Sequence, residues 1–290
     1  MRRSNSRHTH TAMPQPFARK RFGQHFLTDA AIVDATVHAI DPQPGQSIVE
    51  IGPGRGALTA ALLQRVPHIT AIELDRDLAT LLRAMPRLTG RLTLIEGDAL
   101  HVDWDALRQQ LGGATLRVVG NLPYNISTPL LLRLLGAAEH ISDQHFMLQR
   151  EVARRISAPA GSSAYGRLSV MLQWRYAIET VLERIPPAAF TPAPKVESAV
   201  IRMTRRADAA PLDATILSEL LRCAFSQRRK LLRHTLAPWL QERGYSGTFD
   251  LQRRAQEVPA AEYFALAQTL PAVSATSAAP TLFAIEKSAT

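Results

Sequence analysis

Along the chain, short apolar runs alternate with stretches whose apolar positions recur every three or four residues. Ser47–Ile51 (SIVEI), Ile69–Glu73 (ITAIE), Leu92–Ile95 (LTLI) and Leu116–Val119 (LRVV) have the length and β-branched content of buried strands. His145–Leu148, Ser169–Arg175 and Ala199–Met203 are expected to be later strands. Between the early runs, Ala57–Val66, Asp77–Met85 and Thr128–Leu135 carry helical periodicity, and Pro129 sits where a first helical turn tolerates it. Such alternation predicts a doubly wound α/β sheet covered on both faces. After about Arg206 the pattern becomes wholly helical: Ala214–Phe225, Arg228–Arg243, and two shorter segments around Leu251 and Glu262–Leu270. The expected organisation is therefore a tail at 1–18, an α/β domain at 19–206, a small helical domain at 207–270 and a tail at 271–290. No internal repeat is present.

Composition narrows the possibilities. The 290 residues are 46% apolar and 20% charged, which is compatible with a large buried core and excludes a wholly disordered chain. The single cysteine, Cys223, excludes an intrachain disulfide and any multi-thiolate metal site, so no metal is expected and a reducing, cytoplasmic setting is. No run reaches the roughly 18 apolar residues of a membrane span. The N-terminus lacks the apolar segment of a secretory signal and reads as a disordered basic tail; its Arg, Ser and Thr content also leaves a transit peptide open. The net charge of +9 is concentrated in two places. Residues 1–21 hold Arg2, Arg3, Arg7, Arg19, Lys20 and Arg21 with no acid, and Leu220–His234 holds Arg222, Arg228, Arg229, Lys230 and Arg233 with none. Two such blocks suit a polyanion such as nucleic acid, or simply a solvated surface.

The stretch Glu50-Ile51-Gly52-Pro53-Gly54-Arg55-Gly56 links a strand to a helix. Glycines there permit a sharp turn and close approach of a ligand, though a turn that merely packs strand on helix would look the same. Glu73 ends the next strand, where a carboxylate can accept both ribose hydroxyls, and Asp98 follows the third strand, in position for an adenine. A nicotinamide dinucleotide remains possible, but Pro53 and Arg55 fit its fingerprint poorly. An acid at Glu50 before the turn suits a ligand with a cationic amino-acid end and no pyrophosphate, a description that S-adenosyl-L-methionine meets.

Asn121-Leu122-Pro123-Tyr124 follows the fourth strand directly. An exocyclic adenine N6 is a poor nucleophile, because its lone pair is delocalised into the ring. The Asn121 side-chain oxygen and the Leu122 carbonyl can accept the two N6 hydrogens and so favour a pyramidal nitrogen in the transition state. Pro123 stiffens the turn and Tyr124 offers a face for stacking the base. No general base is required, since N6 becomes strongly acidic once alkylated.

Eight ordered stretches carry a resemblance over residues 19–270: Arg19–Leu27, Val49–Gly54, Ile72–Asp77, Gly120–Leu130, Phe146–Glu151, Tyr165–Val170, Phe190–Val200 and Phe225–Lys230. In these the chain resembles the KsgA-type ribosomal RNA adenine dimethyltransferases. The resemblance implies a Rossmann-like methyltransferase sheet with a small all-helical C-terminal domain. It also implies S-adenosyl-L-methionine as methyl donor and two adjacent adenines in the 3′-terminal hairpin of small-subunit (16S) ribosomal RNA, within the 30S particle, as target. By motif, the cofactor contacts would be His25, Leu27, Gly52, Gly54, Glu73, Asp98 and Asn121. Family members often have Asn where this chain has His25. Phe190 looks like the aromatic that sandwiches the target base against Tyr124. Arg228, Arg229, Lys230 and Arg233, read as one helix face, and Lys20 and Arg21 beside the cofactor motif are expected to meet RNA phosphates. Resistance-type methyltransferases of large-subunit RNA share Asn-x-Pro-Tyr, but the Phe190–Val200 and Phe225–Lys230 stretches resemble the small-subunit type. The alternative in a different class is a non-catalytic assembly factor docking on immature small subunits. No oligomerisation stripe is evident, and a monomer is expected.

Overall fold

The computed structural model describes residues 24–271. In chain order the elements are β1 (Phe26–Leu27), α1 (Ala30–Ile40), β2 (Ser47–Ile51), α2 (Ala57–Leu62), β3 (Ile69–Glu73), α3 (Arg76–Arg83), β4 (Leu92–Glu96), α4 (Trp104–Gln110), β5 (Leu116–Asn121), α5 (Ser127–Gly136), β6 (Ile141–Gln149), α6 (Arg150–Ile156), α7 (Arg167–Arg175), β7 (Tyr176–Ile185), β8 (Phe190–Thr191) and β9 (Ser198–Arg205). The helices α8 (Ala214–Ala224), α9 (Leu232–Thr235), α10 (Ala237–Glu242) and α11 (Ala260–Gln268) follow. The main sheet has the order β4-β3-β2-β5-β6-β9-β7, with β1 and β8 forming a separate antiparallel pair. From β4 to β6 the strands are parallel; β9 and β7 extend the sheet antiparallel. The order reverses between β2 and β5, the place where open α/β sheets bind ligands at the carboxyl ends of their strands.

Both faces are covered because successive strand residues point to opposite sides. Ile48 and Val119 pack with α1 and α2, whereas Val49 and Val118, each one position away, pack on the other face with α4 and α5. Beneath the sheet, at the start of β5, the Arg117 guanidinium pairs with Asp143 at 2.8 Å and donates to the carbonyls of Ile40 (2.6 Å) and Asp41 (3.1 Å). Arg202 donates to the Ala39 carbonyl at 2.6 Å. These two arginines satisfy the carbonyl end of α1 and complement its negative pole, so the helix that follows β1 is held at its far end.

Four features differ from expectation. Ser169–Arg175 is not a strand but most of α7, in which Ser169, Val170, Met171, Leu172 and Trp174 are all buried. A helix buried nearly all round shows no 3.6-residue stripe, so its apolar run looks like a strand. The helix is instead marked by Ser169, whose hydroxyl oxygen accepts from the Gly166 N–H at 3.0 Å. The neighbouring strand β7, absent from the sequence reading, lies at the sheet edge and carries Glu179, Glu183 and Arg184, charges that protect an exposed edge.

The third change concerns Arg228–Arg243, which is not one helix. Residues 225–230 form turns, α9 lasts four residues, and Pro238 lies in the first turn of α10, where its missing N–H costs no hydrogen bond. Nor is the segment around Leu251 helical; it forms a turn whose Leu251 and Arg253 carbonyls accept from the Arg233 and Leu232 amides. One hydrophobic cluster runs from Phe146 and Ile201 of the sheet through Val170 and Trp174 of α7 to Leu217, Leu221 and Tyr263 of the C-terminal helices.

Candidate active site

At the reversal of strand order, the ends of β2, β3 and β5, the loop after β4, and β1 surround a cleft enclosing about 1070 Å³ of empty space, including its mouth. Gly52, Gly54 and Gly56 all have left-handed backbones, at φ 67°, 58° and 75°. At Gly54 the need is twofold, because a Cβ there would also meet the Phe26 ring at 3.0 Å. The Arg55 guanidinium lies over that same ring, 4.5 Å from its centre.

Glu73, buried at the end of β3, accepts from the Gly54 amide (3.1 Å) with one oxygen and from the Asp75 amide (2.9 Å) with the other. It therefore straps the glycine turn to β3 while each oxygen retains a lone pair for a ligand hydroxyl. Burial raises its pKa against those two amides. Asp98 accepts from the Leu100 amide at 2.9 Å and pairs with His101 at 3.2 Å, which orients its carboxylate at the cleft wall. Asp75, missed in the sequence reading, is buried, caps α3 through the Asp77 amide (3.0 Å) and lines the same cleft.

Glu50 is fully buried on β2, and the Thr59 hydroxyl donates to it at 2.6 Å. Burial pushes its carboxyl up to about 7 from 4.5, opposed by Thr59 and assisted by the nearby Glu73 carboxylate. The folded state thus binds this proton more tightly than the unfolded chain. The resulting stabilisation is complete below the unfolded value of 4.5 and is lost as pH rises through about 7. The difference corresponds to roughly 3 kcal/mol. A Glu50→Gln variant, uncharged at every pH, is expected to flatten the decline in thermal stability between those two values. A parallel decline in parent and variant would remove Glu50 from that role.

Asn121 ends β5, and its Nδ2 donates to the His25 carbonyl at 2.9 Å. A carbonyl partner requires the nitrogen end of the amide, so the other end, Oδ1, is the acceptor presented by this cleft-lining residue. Leu122 is buried and hangs from the Met147 carbonyl through its own amide at 3.1 Å. The Tyr124 hydroxyl pairs with the Ser198 hydroxyl at 2.8 Å, and its ring lies 5.4 Å from the His25 imidazole. That imidazole donates from Nδ1 to the Pro192 carbonyl at 2.7 Å. His25 thus touches Asn121, Tyr124 and the loop after β8 together, a joining role that no sequence pattern signals.

The structure brings His25, Leu27, Gly52, Gly54, Glu73, Asp98, Asn121, Leu122 and Tyr124 to one cleft. It does not bring Phe190 there. Phe190 is 3% exposed and packs with Leu27, Val33, Met147 and Val200, because its pairing with Leu27 in the β1–β8 ribbon turns the ring into the core. Arg228 is exposed, and its guanidinium donates through one nitrogen to the carbonyls of Ser163 (2.7 Å) and Tyr165 (3.0 Å), fastening a loop. Arg229 and Lys230 are exposed in the turn, and Arg233 on α9 contacts His234 and Gln252, so the four do not form one helix face. Lys20 and Arg21 lie outside the described residues. Among the described residues no cluster of three metal-ligating side chains occurs, and no helix is long and apolar enough to cross a membrane.

Carboxylates at the ends of successive strands, a glycine turn tight against Phe26, and an Asn-Leu-Pro-Tyr segment at the wall fit a cationic adenosine ligand beside a second adenine. A family model described as ribosomal RNA adenine dimethylase matches residues 17–270. A ribosomal RNA small subunit methyltransferase A of Albidiferax ferrireducens is 60% identical over 253 residues, covering 87% of this chain and 95% of that protein. One of Methylibium petroleiphilum is also 60% identical, covering 87% and 96%. Among solved structures, a dimethyladenosine transferase from Plasmodium falciparum matches with a TM-score of 0.68 at 22% identity, covering 83% of this chain and 96% of that one. The 23S rRNA methyltransferase ErmE matches with a TM-score of 0.60 at 24% identity, covering 84% and 99%. Both structures support the methyltransferase fold, with its parallel-dominated sheet and helical C-terminal part.

Proposed function

Because the chain belongs to the ribosomal RNA adenine dimethylase family, we propose that it methylates N6 of two adjacent adenines in the 3′-terminal hairpin of small-subunit ribosomal RNA, giving N6,N6-dimethyladenosines during small-subunit assembly. The observation that carries this reading is the orientation of Asn121, locked by the His25 carbonyl so that an acceptor oxygen is available at the cleft wall. Glu73 and Asp98 would hold the ribose and adenine of S-adenosyl-L-methionine, and the glycine turn would receive its amino-acid end. When bound, that cofactor supplies an electrophilic methyl group on a sulfonium.

Asn121 Oδ1 and the Leu122 carbonyl accept the N6 hydrogens and hold the nitrogen's lone pair out of conjugation. The Tyr124 ring, anchored through Ser198, supports the base. The proton released from N6 after each transfer leaves through the open mouth of the cleft, since alkylated N6 needs no buried base.

The helical part at 207–270 is assigned to the ribosomal particle, with Arg229 and Lys230 as its exposed phosphate contacts. Replacing both by alanine is expected to weaken particle binding and lower its salt slope by about two; an unchanged slope would move the contact elsewhere. The function itself is tested by expressing the chain in a bacterium whose small subunits lack adenine dimethylation. Dimethyladenosine is expected to reappear in the 3′-terminal hairpin, and its continued absence with the protein well expressed would contradict the proposal.

A further inference from the structure

The loop between β8 and β9 is tied at both ends to residues that line the cleft and bare at its tip. On one side Pro192 receives the His25 Nδ1–H at 2.7 Å. On the other, Ser198, fully buried, bonds the Tyr124 hydroxyl at 2.8 Å. Next to it Glu197 binds Arg150 at 2.8 Å and Arg184 at 3.1 Å, and its carbonyl accepts from the Arg150 amide at 2.9 Å. Pro194 is buried beneath the loop, whereas Ala193, Lys195 and Val196 face solvent.

Val196 is 45% exposed and, with Leu74 of the cleft wall, is one of two large apolar side chains so exposed among the described residues. A residue spans at most about 3.6 Å of chain, so the Val196 backbone lies within about 7 Å of Ser198, whose hydroxyl bonds Tyr124. The loop therefore lies beside the cleft, tied to two of its lining residues, His25 and Tyr124. Arg150 and Arg184 share the one carboxylate of Glu197, the Arg184 side chain is 66% exposed, and Lys195, two residues before Glu197, is exposed as well.

We propose that Lys195 and Val196 form a rigid wedge that enters the single-stranded RNA beside the target adenine. Val196 packs against the base left behind when the target leaves its stack, while Lys195 and Arg184 take the flanking phosphates. An exposed apolar side chain beside a lysine suits an unstacked base step next to a phosphate, and the double anchoring prevents the tip from yielding as the strand is pressed against it. This inference rests on the RNA-methylating function proposed above.

The test uses the full chain with undermethylated small subunits and compares Val196→Asp, Val196→Ala, Val196→Leu and Lys195→Ala with the parent. Three quantities are read: the KM for particles, the Kd for S-adenosyl-L-methionine, and 2′-hydroxyl acylation of the nucleotides flanking the target adenines. Binding of the parent is expected to raise acylation at those nucleotides. Val196→Asp is expected to remove that rise and increase the particle KM about tenfold, Val196→Leu to behave as the parent, and all variants to keep the cofactor Kd. Lys195→Ala is expected to reduce the salt dependence of KM without suppressing the acylation rise. If Val196→Asp fails to fold, Val196→Ala carries the same readouts.

A parent-like KM and acylation rise in the aspartate or alanine variant would overturn the wedge. Weakened particle binding with the acylation rise intact would place the tip against a ribosomal protein and overturn it equally. A parent protein that binds cofactor yet neither methylates nor alters the RNA would instead overturn the function on which the inference rests.

Discussion

Asn121→Ala is expected to lower the single-turnover rate of methyl transfer by about 10²–10³-fold, the usual consequence of removing one aligned transition-state acceptor. Particle binding is expected to remain close to that of the parent. The lost Nδ2 bond leaves the His25 carbonyl without that donor, which costs about 1 kcal/mol of stability and is not enough to unfold the chain. Asn121→Asp separates orientation from the mere presence of an acceptor. A carboxylate keeps acceptor oxygens but cannot donate to the His25 carbonyl, so it is expected to turn away and fail as alanine does. An aspartate variant with near-parental rate would show that the bond to His25 does not orient the catalytic group.

The largest expected structural effect belongs to Gly120. This residue lies in β5 beside β2, where the strand order reverses, and a Cβ there would stand 2.4 Å from the Ile51 carbonyl oxygen and 3.3 Å from its carbon. Both groups are backbone within a parallel pair, so no flexible side chain can give way. Gly120→Ala is expected to cost about 3–5 kcal/mol, at the upper end of single-residue effects, and to lower the melting temperature by roughly 10 °C. It is also expected to weaken cofactor binding, because Glu50 and Gly52 flank Ile51 at the cleft wall. Calorimetric melting together with a cofactor titration reads both effects. A variant melting within roughly 2 °C of the parent would contradict the close approach of β2 and β5.

Much of this arrangement was legible in the amino-acid sequence. The strands Ser47–Ile51 and Ile69–Glu73 have the bounds expected of them, because central parallel strands are continuous apolar runs that end at polar or glycine residues. Glu73, Asp98 and Asn121 could be grouped because the carboxyl ends of parallel strands open on one crevice. The missed elements differ from these in burial. Helix α7 is enclosed by the sheet side and the C-terminal helices and shows no amphipathic stripe, while β7 is half polar because it forms an edge.

Side-chain direction was hidden as well. A motif proposes a chemistry for Phe190, but the pairing of β1 with β8 turns its ring into the core, and no motif signals that Arg228 also holds the carbonyls of Ser163 and Tyr165. The joining role of His25 depends on contacts between segments distant in sequence, which no local pattern records, whereas Asp75 is a local helix cap whose place in the cleft depends on the fold.

The central claim is that this cleft dimethylates adenine in small-subunit RNA, and it is tested most directly with purified protein, methyl-labelled S-adenosyl-L-methionine and small subunits lacking the modification. After nuclease mapping, the label is expected as N6,N6-dimethyladenosine at two adjacent positions of the 3′-terminal hairpin. Cofactor bound in the cleft, with no label in that hairpin or with label on other nucleotides alone, would contradict it.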